Sequence, residues 1–150
     1  MTTVLHGQDF YAWTQQQAQL LKSGQFFKLD VEHLVEELES MSATERRELI
    51  SRLEILLMHL LKWQFQPAFQ GRSWVLTIEE QRLKLEDHLQ DNPSLKNPQF
   101  LQESIERAYR RALVAAEKET GLASKTFPKS CPYSFEQMMD MAFYPDGQIS

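Results

Sequence analysis

Three of the four glutamates between positions 32 and 39 form an unusual set of ionisable residues. Glu32, Glu36 and Glu39 recur at spacings of four and three residues, so a helix places them on one face. Like charges at such spacings repel one another and cost an isolated helix about 0.2–0.5 kcal/mol. We predict that this acidic stripe binds a basic protein partner. The alternatives are a solvated outer face, or neutralisation of the stripe by the arginines at positions 46, 47 and 52.

Side chains that could bind a metal ion do not follow a known ligand spacing. The Glu-x-x-His pair that di-iron helical bundles use does not occur in the sequence. Asp30 is better explained as a helix N-cap than as a metal ligand. A shared site would require His33, Glu36 and His59 to converge. We therefore expect no specific metal and no cofactor, and His33 and His59 are the first ligands to test if a metal is found.

Sequence signatures of covalent catalysis are also missing. Cys131 is the single cysteine, and it lies between Ser130 and Pro132, without a neighbouring basic cluster that would favour the thiolate. The sequence contains no Gly-x-Ser-x-Gly elbow, phosphate-binding loop or dinucleotide fingerprint. These observations favour a protein that is not an enzyme, although helical enzymes often carry no short motif.

Arginine clusters give weak support to nucleic-acid binding. One cluster lies within residues 46–52. In the other, Glu103 precedes Arg107 and Glu106 precedes Arg110 by four residues, which is the favourable order for ion pairs on a helix. We expect these pairs to form on a solvated face. The net charge of −5 also argues against a non-specific nucleic-acid binder, so nucleic acid is not the expected partner.

The elements that must position these residues are helices. Apolar residues recur at helical spacing in five segments, which lie at about residues 9–23, 30–41, 42–66, 73–92 and 97–120. Val31, Leu34, Val35, Leu38 and Met41 mark the predicted buried face of the short acidic helix. The capping box at residues 42–45 predicts a fresh helix start, and a second match at residues 134–137 predicts a short helix in the tail. The predicted N-caps are Asp9, Ser73 and Asn97, and Gly121 is predicted to end the fifth helix. Segment 42–66 is apolar nearly all round beyond Leu53, which predicts a central spine.

Residues 122–150 form an irregular tail, but they carry five aromatic side chains, which a disordered tail would not normally contain. We predict that this tail is an aromatic strap packed on the bundle. The fold class is therefore all-α, with a bundle of four main helices, a short acidic helix and the strap. We expect a single domain over residues 1–150. No apolar stretch approaches the roughly 20 residues of a membrane span, and no secretory signal is evident, so a cytoplasmic protein is expected.

Several blocks of the sequence together resemble the bacterial family catalogued as domain of unknown function twenty-nine. The blocks are residues 9–13 (DFYAW), 34–40 (LVEELES), 46–49 (RREL), 59–67 (HLLKWQFQP), 72–74 (RSW), 80–82 (EQR), 126–128 (TFP) and 131–134 (CPYS). The resemblance covers nearly the whole chain. It implies an all-helical fold and a free-standing single-domain protein, and it implies no activity and no functional residue.

The function that these observations favour is a non-catalytic protein-interaction module. It would bind a basic partner through Glu32, Glu36 and Glu39. Two other classes remain as alternatives. One is an enzyme or metal protein built in a helical bundle without a short motif, and the other is a nucleic-acid-linked regulator.

Overall fold

The computed structural model of the chain describes the backbone of residues 2–146 and the side chains of residues 5–146. The fold is all-α, and the described residues contain no strand. The helices are α1 (Thr2–Gln8), α2 (Phe10–Lys22), α3 (Val31–Phe65), α4 (Arg72–Asp91), α5 (Pro98–Thr120) and α6 (Phe135–Met139). Short 3₁₀ turns occupy Phe26–Lys28, Pro67–Phe69, Pro93–Lys96 and Ser124–Thr126. The all-α class is confirmed.

The described residues divide into two compact units. The first unit runs up to Glu45 and contains α1, α2 and the beginning of α3, while the second unit starts at Arg46 and contains the remaining helices. The single domain predicted for residues 1–150 stays a prediction. No helix in the part of the chain that the structure describes is both long enough and apolar enough to cross a bilayer.

Helix α3 corrects the prediction of a separate short acidic helix, because it runs for 35 residues without a break. The expected capping box at residues 42–45 is wrong. The Ser42 hydroxyl donates to the Leu38 carbonyl over 3.2 Å, and the Thr44 hydroxyl donates to the Ser40 carbonyl over 3.0 Å. Both side chains therefore bond to the preceding turn, as they do inside a helix. Residues 38–45 include no glycine or proline, so nothing in the backbone interrupts α3 here.

Other helix ends follow the predicted chemistry. Asp9 caps α2 by accepting from the backbone N–H of Ala12 over 3.0 Å. Asn97 caps α5 by accepting from the N–H of Phe100 over 3.1 Å. Gly121 ends α5 with φ +75°, a left-handed conformation that favours glycine. The predicted cap at Ser73 is wrong, since α4 begins at Arg72 and its N-cap is Gly71.

The core of the second unit is built around α3, as the sequence predicts. Leu53, Leu56, Leu57 and Leu60 are fully buried. They belong to one cluster with apolar residues of α4 and α5, including Ile78. A helix that is apolar nearly all round has no face to give to solvent, so it becomes the centre of the unit.

The tail beyond α5 is ordered against this core, which confirms the predicted strap for its described residues. Phe127, Tyr133 and Met138 are buried in the same cluster. The Tyr133 hydroxyl lies 2.7 Å from Oε1 of Gln64, and Ser134 opens α6 with the predicted capping box. Buried aromatic rings contribute large apolar areas, so the strap forms part of the hydrophobic core of the second unit.

A buried arginine fastens the tail to α4. Nε of Arg82 donates to the Met138 carbonyl over 2.6 Å, and Nη2 donates to the carbonyls of Gln137 at 3.3 Å and Phe143 at 2.8 Å. The guanidinium also lies 5.4 Å from the centre of the Tyr144 ring. Burial lowers the pKa of Arg82, while Tyr144 and Asp140 act in the opposite direction. The carbonyls replace the water that burial removes from the guanidinium.

Candidate functional site

The three glutamates of the acidic stripe all lie on the part of α3 that belongs to the first unit. Glu32, Glu36 and Glu39 are each exposed. Among the described residues, none of the three takes part in an ion pair or a side-chain hydrogen bond. The structure therefore presents the stripe as three solvated carboxylates on one line, within the helix that the sequence predicted for them.

An exposed apolar ridge runs beside the stripe, and this corrects the prediction of a buried face. Val31 and Leu38 are each 60 % exposed and Val35 is 47 % exposed. Each of these apolar residues directly precedes one glutamate of the stripe in the sequence. Consecutive helical residues are about 100° apart around the axis, so the ridge and the stripe run side by side. The side chains that face the first unit's interior are instead His33, Leu34 and Glu37. Because these three occupy the inner face, the ridge is left outside.

Asp30 anchors the start of this helix. Its Oδ1 accepts from the backbone N–H of His33, as an N-cap does, at 3.4 Å. Its Oδ2 accepts from Nε1 of Trp13 at 3.0 Å and from Nδ1 of His33 at 2.8 Å. Its backbone N–H donates to Oε1 of Gln17 over 2.8 Å. Asp30, Trp13 and Gln17 are buried, so these bonds fix the position of the start of α3 against α2.

Electrostatics favour the charged form of this buried carboxylate. Burial by itself raises the pKa of Asp30, but the hydrogen bonds from His33 and Trp13 outweigh burial and hold the pKa below its ordinary value. A carboxylate can only accept, so Nδ1 of His33 carries a proton in this contact. Asp30 therefore acts as a charged N-cap, which confirms the reading of this residue as a cap.

A second imidazole completes the cluster. The ring of His6 stacks on the ring of His33 with centroids 4.1 Å apart, and it meets Trp13 edge-on at 4.5 Å. Nε2 of His6 lies 3.7 Å from Oε2 of Glu37. His6 was not predicted as a site residue, because residues 2–8 show no clear helical period in the sequence. An imidazole just before the predicted cap Asp9 was the one available signal.

Metal ligation does not follow from these groups. Within the described residues, no three side chains of His, Cys, Asp or Glu are grouped so that they could hold a metal ion. His59 is engaged locally, since its Nδ1 lies 2.9 Å from the Ile55 carbonyl. Burial lowers the pKa of His59, opposed by its bond to Ile55.

An open basic groove lies in the second unit. It has a volume of about 690 Å³ and is lined by Glu54 of α3 and by Arg107, Arg110, Arg111, Val114, Ala115 and Lys118 of α5. The predicted ion pairs from Glu103 and Glu106 are wrong. Glu103 accepts instead from Gln99 Nε2 at 3.4 Å, and Glu106 accepts from Gln102 Nε2 at 3.5 Å. Exposed ion pairs bring little free energy, so these arginines are not held against their own helix.

Cys131 behaves as an ordinary structural thiol. It is half-buried, and its Sγ lies 3.5 Å from the Tyr133 carbonyl. Burial raises the pKa of the Cys131 thiol, although the Tyr133 carbonyl contact acts in the opposite direction. A raised pKa disfavours the thiolate, which is the nucleophilic form.

Comparison with known proteins gives one match. No curated protein and no solved structure matches the chain. A family model matches residues 5–144, which covers both units, the acidic stripe, the Asp30 cluster and the basic groove. The description of that family assigns no activity. The chain therefore belongs to the family described as domain of unknown function DUF29.

Proposed function

We propose that the protein is a non-catalytic interaction module that binds a basic partner through the outer face of α3. This docking face consists of the stripe Glu32, Glu36 and Glu39 and the ridge Val31, Val35 and Leu38. The observation that carries the proposal is the adjacency of the two lines. Three free carboxylates beside three exposed apolar side chains form a surface of mixed character, which suits a protein partner.

The chemistry of the docking face defines the partner. Its partner surface needs an apolar strip to cover the ridge and a parallel strip of lysine or arginine to meet the stripe. An amphipathic helix with one basic flank presents both strips at matching spacing. The ridge would contribute affinity through burial, and the carboxylates would contribute orientation and a faster encounter at low salt.

The Asp30 cluster supports this assignment by fixing the face. The charged cap, the Trp13 bond and the stacked imidazoles hold the first turn of α3 in one position. A rigid face loses less conformational entropy on binding than a flexible one, so its contacts yield more affinity.

The test is affinity capture from native lysate at low and high salt, followed by identification of the bound proteins. The triple variant E32K/E36K/E39K should lose the salt-sensitive partners, and L38A should weaken them. The control E79K/E86K/D87K changes three exposed carboxylates of α4 by the same charge and should retain them. Partners that survive the stripe reversal, or that hold equally well at high salt, would exclude the docking face.

Nucleic-acid binding is a second candidate because Arg107, Arg110 and Arg111 make no ion pair with described residues. An unpaired basic cluster is the usual footprint of phosphate contacts. Fluorescence polarisation with labelled single-stranded and duplex oligonucleotides tests this role. It predicts salt-dependent binding that R107E/R110E/R111E abolishes and that E32K/E36K/E39K does not.

A further inference from the structure

The basic groove and the docking face are complementary in charge and in apolar content. The groove offers four cations, and the face offers three carboxylates. Val114 lies among the cations and is 66 % exposed, which gives the groove an apolar centre to match the ridge. Both surfaces are unpartnered within the described residues.

The face is also short enough to lie within the groove. At a rise of 1.5 Å per residue, the docking face from Val31 to Glu39 spans about 12 Å. The groove from Arg107 to Lys118 spans about 16 Å along α5. A helix laid along the groove would therefore place its whole acidic stripe within reach of the cations.

We propose that the basic partner of the docking face is a second copy of this chain, which receives the face in its own basic groove. This inference rests on the proposed function, since it names the partner of the same face. Each chain carries one face and one groove, so the contact can form between copies of this chain without another protein.

A second copy fits the groove better than a nucleic acid does. The exposed carboxylate of Glu106 precedes the arginines of the groove, the exposed carboxylate of Glu117 follows them, and Glu54 lies on the α3 wall. A continuous phosphate backbone would have to pass these carboxylates and would be repelled by them. A short acidic stripe can pair with Arg107, Arg110 and Arg111 between them, and its ridge gains contact with Val114.

A charge exchange tests the dimer. Sedimentation equilibrium measures the self-association of the wild type in 0.1 M and 1 M NaCl, where the Debye length falls from about 10 Å to about 3 Å. We expect self-association that weakens at least about tenfold at the higher salt. E32K/E36K/E39K alone and R107E/R110E/R111E alone should each be monomeric, because each leaves like charges facing one another.

The equimolar mixture of these two variants should associate again, since reversed face then meets reversed groove. Circular dichroism of each variant establishes that it is folded, and E79K/E86K/D87K should associate like the wild type.

A monomeric wild type at high protein concentration and low salt would overturn the inference. A mixture of the two variants that fails to associate would also overturn it, as would either variant alone if it still self-associates. If the wild type is monomeric but E32K/E36K/E39K loses captured partners, the docking face stands and its partner is another protein. If the wild type is monomeric and the groove binds oligonucleotides, nucleic acid replaces the second copy.

Discussion

The indole N–H of Trp13 donates to Oδ2 of Asp30 over 3.0 Å, and both side chains are buried. Seventeen residues separate the two in sequence. The contact joins the first turn of α2 to the residue that caps α3, so one hydrogen bond fixes the orientation of the docking face relative to α2. Bonds to a charged acceptor are stronger than neutral ones, which makes the carboxylate the component to change.

Asp30→Asn should destabilise the first unit by about 1.5–3 kcal/mol, the range for hydrogen bonds to charged groups. Asn retains one acceptor oxygen but loses the charge that His33 and Trp13 stabilise. Urea denaturation followed by circular dichroism measures the loss. Asp87→Asn, at an exposed position on α4, is the matched control and should change little. Equal effects of the two substitutions would contradict a special role for Asp30.

The same carboxylate should make stability depend on acidity. The pKa of Asp30 is lowered in the folded protein, so the unfolded chain takes up this proton first as the pH falls. The contribution of Asp30 is therefore complete above the ordinary carboxyl pKa near 4 and is lost as the pH drops through the lowered folded value. Unfolding free energies measured between pH 5 and pH 2 should show a smaller decline for Asp30→Asn than for the wild type.

His59 should produce a second pH dependence at milder acidity. Burial lowers its pKa in the folded state, so the unfolded chain binds a proton more readily below about pH 6.5. Stability should fall as the pH decreases from 7 toward 5. His59→Gln removes this titration and should flatten the profile in that window. An unchanged slope would show that other groups cause the decline.

Arg82→Met should destabilise the second unit by about 1.5–3 kcal/mol, the range for hydrogen bonds to a charged group. Three carbonyls of the tail would lose their donor. Arg82→Lys should recover little, because one ammonium cannot match the forked geometry of the guanidinium. Denaturant midpoints provide the measurement, and Arg72→Met at an exposed position is the control. A midpoint close to wild type for Arg82→Met would show that the tail is held mainly by its rings.

Leu56→Ala should cost about 2–5 kcal/mol through lost burial and the cavity left in the core. Leu56 is fully buried on α3, whereas Leu76 on α4 is half exposed. Leu76→Ala therefore serves as the comparison and should stay within about 0.5 kcal/mol of the wild type. Similar losses at both positions would contradict the central position of α3.

The sequence predicts those features that depend on local chemistry. Asn97 and Gly121 bound α5 because a capping side chain and a left-handed glycine act on their own turn of helix. Leu53 and Leu60 are buried because an all-round apolar helix has few alternatives. The strap is ordered because its aromatic content requires a surface to cover.

The incorrect predictions concern side chains whose orientation depends on residues that are distant in the sequence. The periodicity of Val31, Val35 and Leu38 locates an apolar face correctly, but periodicity does not state whether the same chain covers that face. In this protein, His33 and Glu37 lie on the inner side of the helix because they contact Trp13 and His6 there. The orientation of that face depends on residues about twenty positions away, which a local pattern does not contain.

All three hydrogen bonds that Arg82 donates to the tail go to main-chain carbonyls. A hydrogen bond to a main-chain carbonyl does not depend on which side chain that residue carries. Substitutions of Gln137 and Phe143 would therefore leave these hydrogen bonds in place. Only a substitution of Arg82 itself would remove them. Among relatives, the fastening of the tail should persist through extensive change in the residues that it fastens.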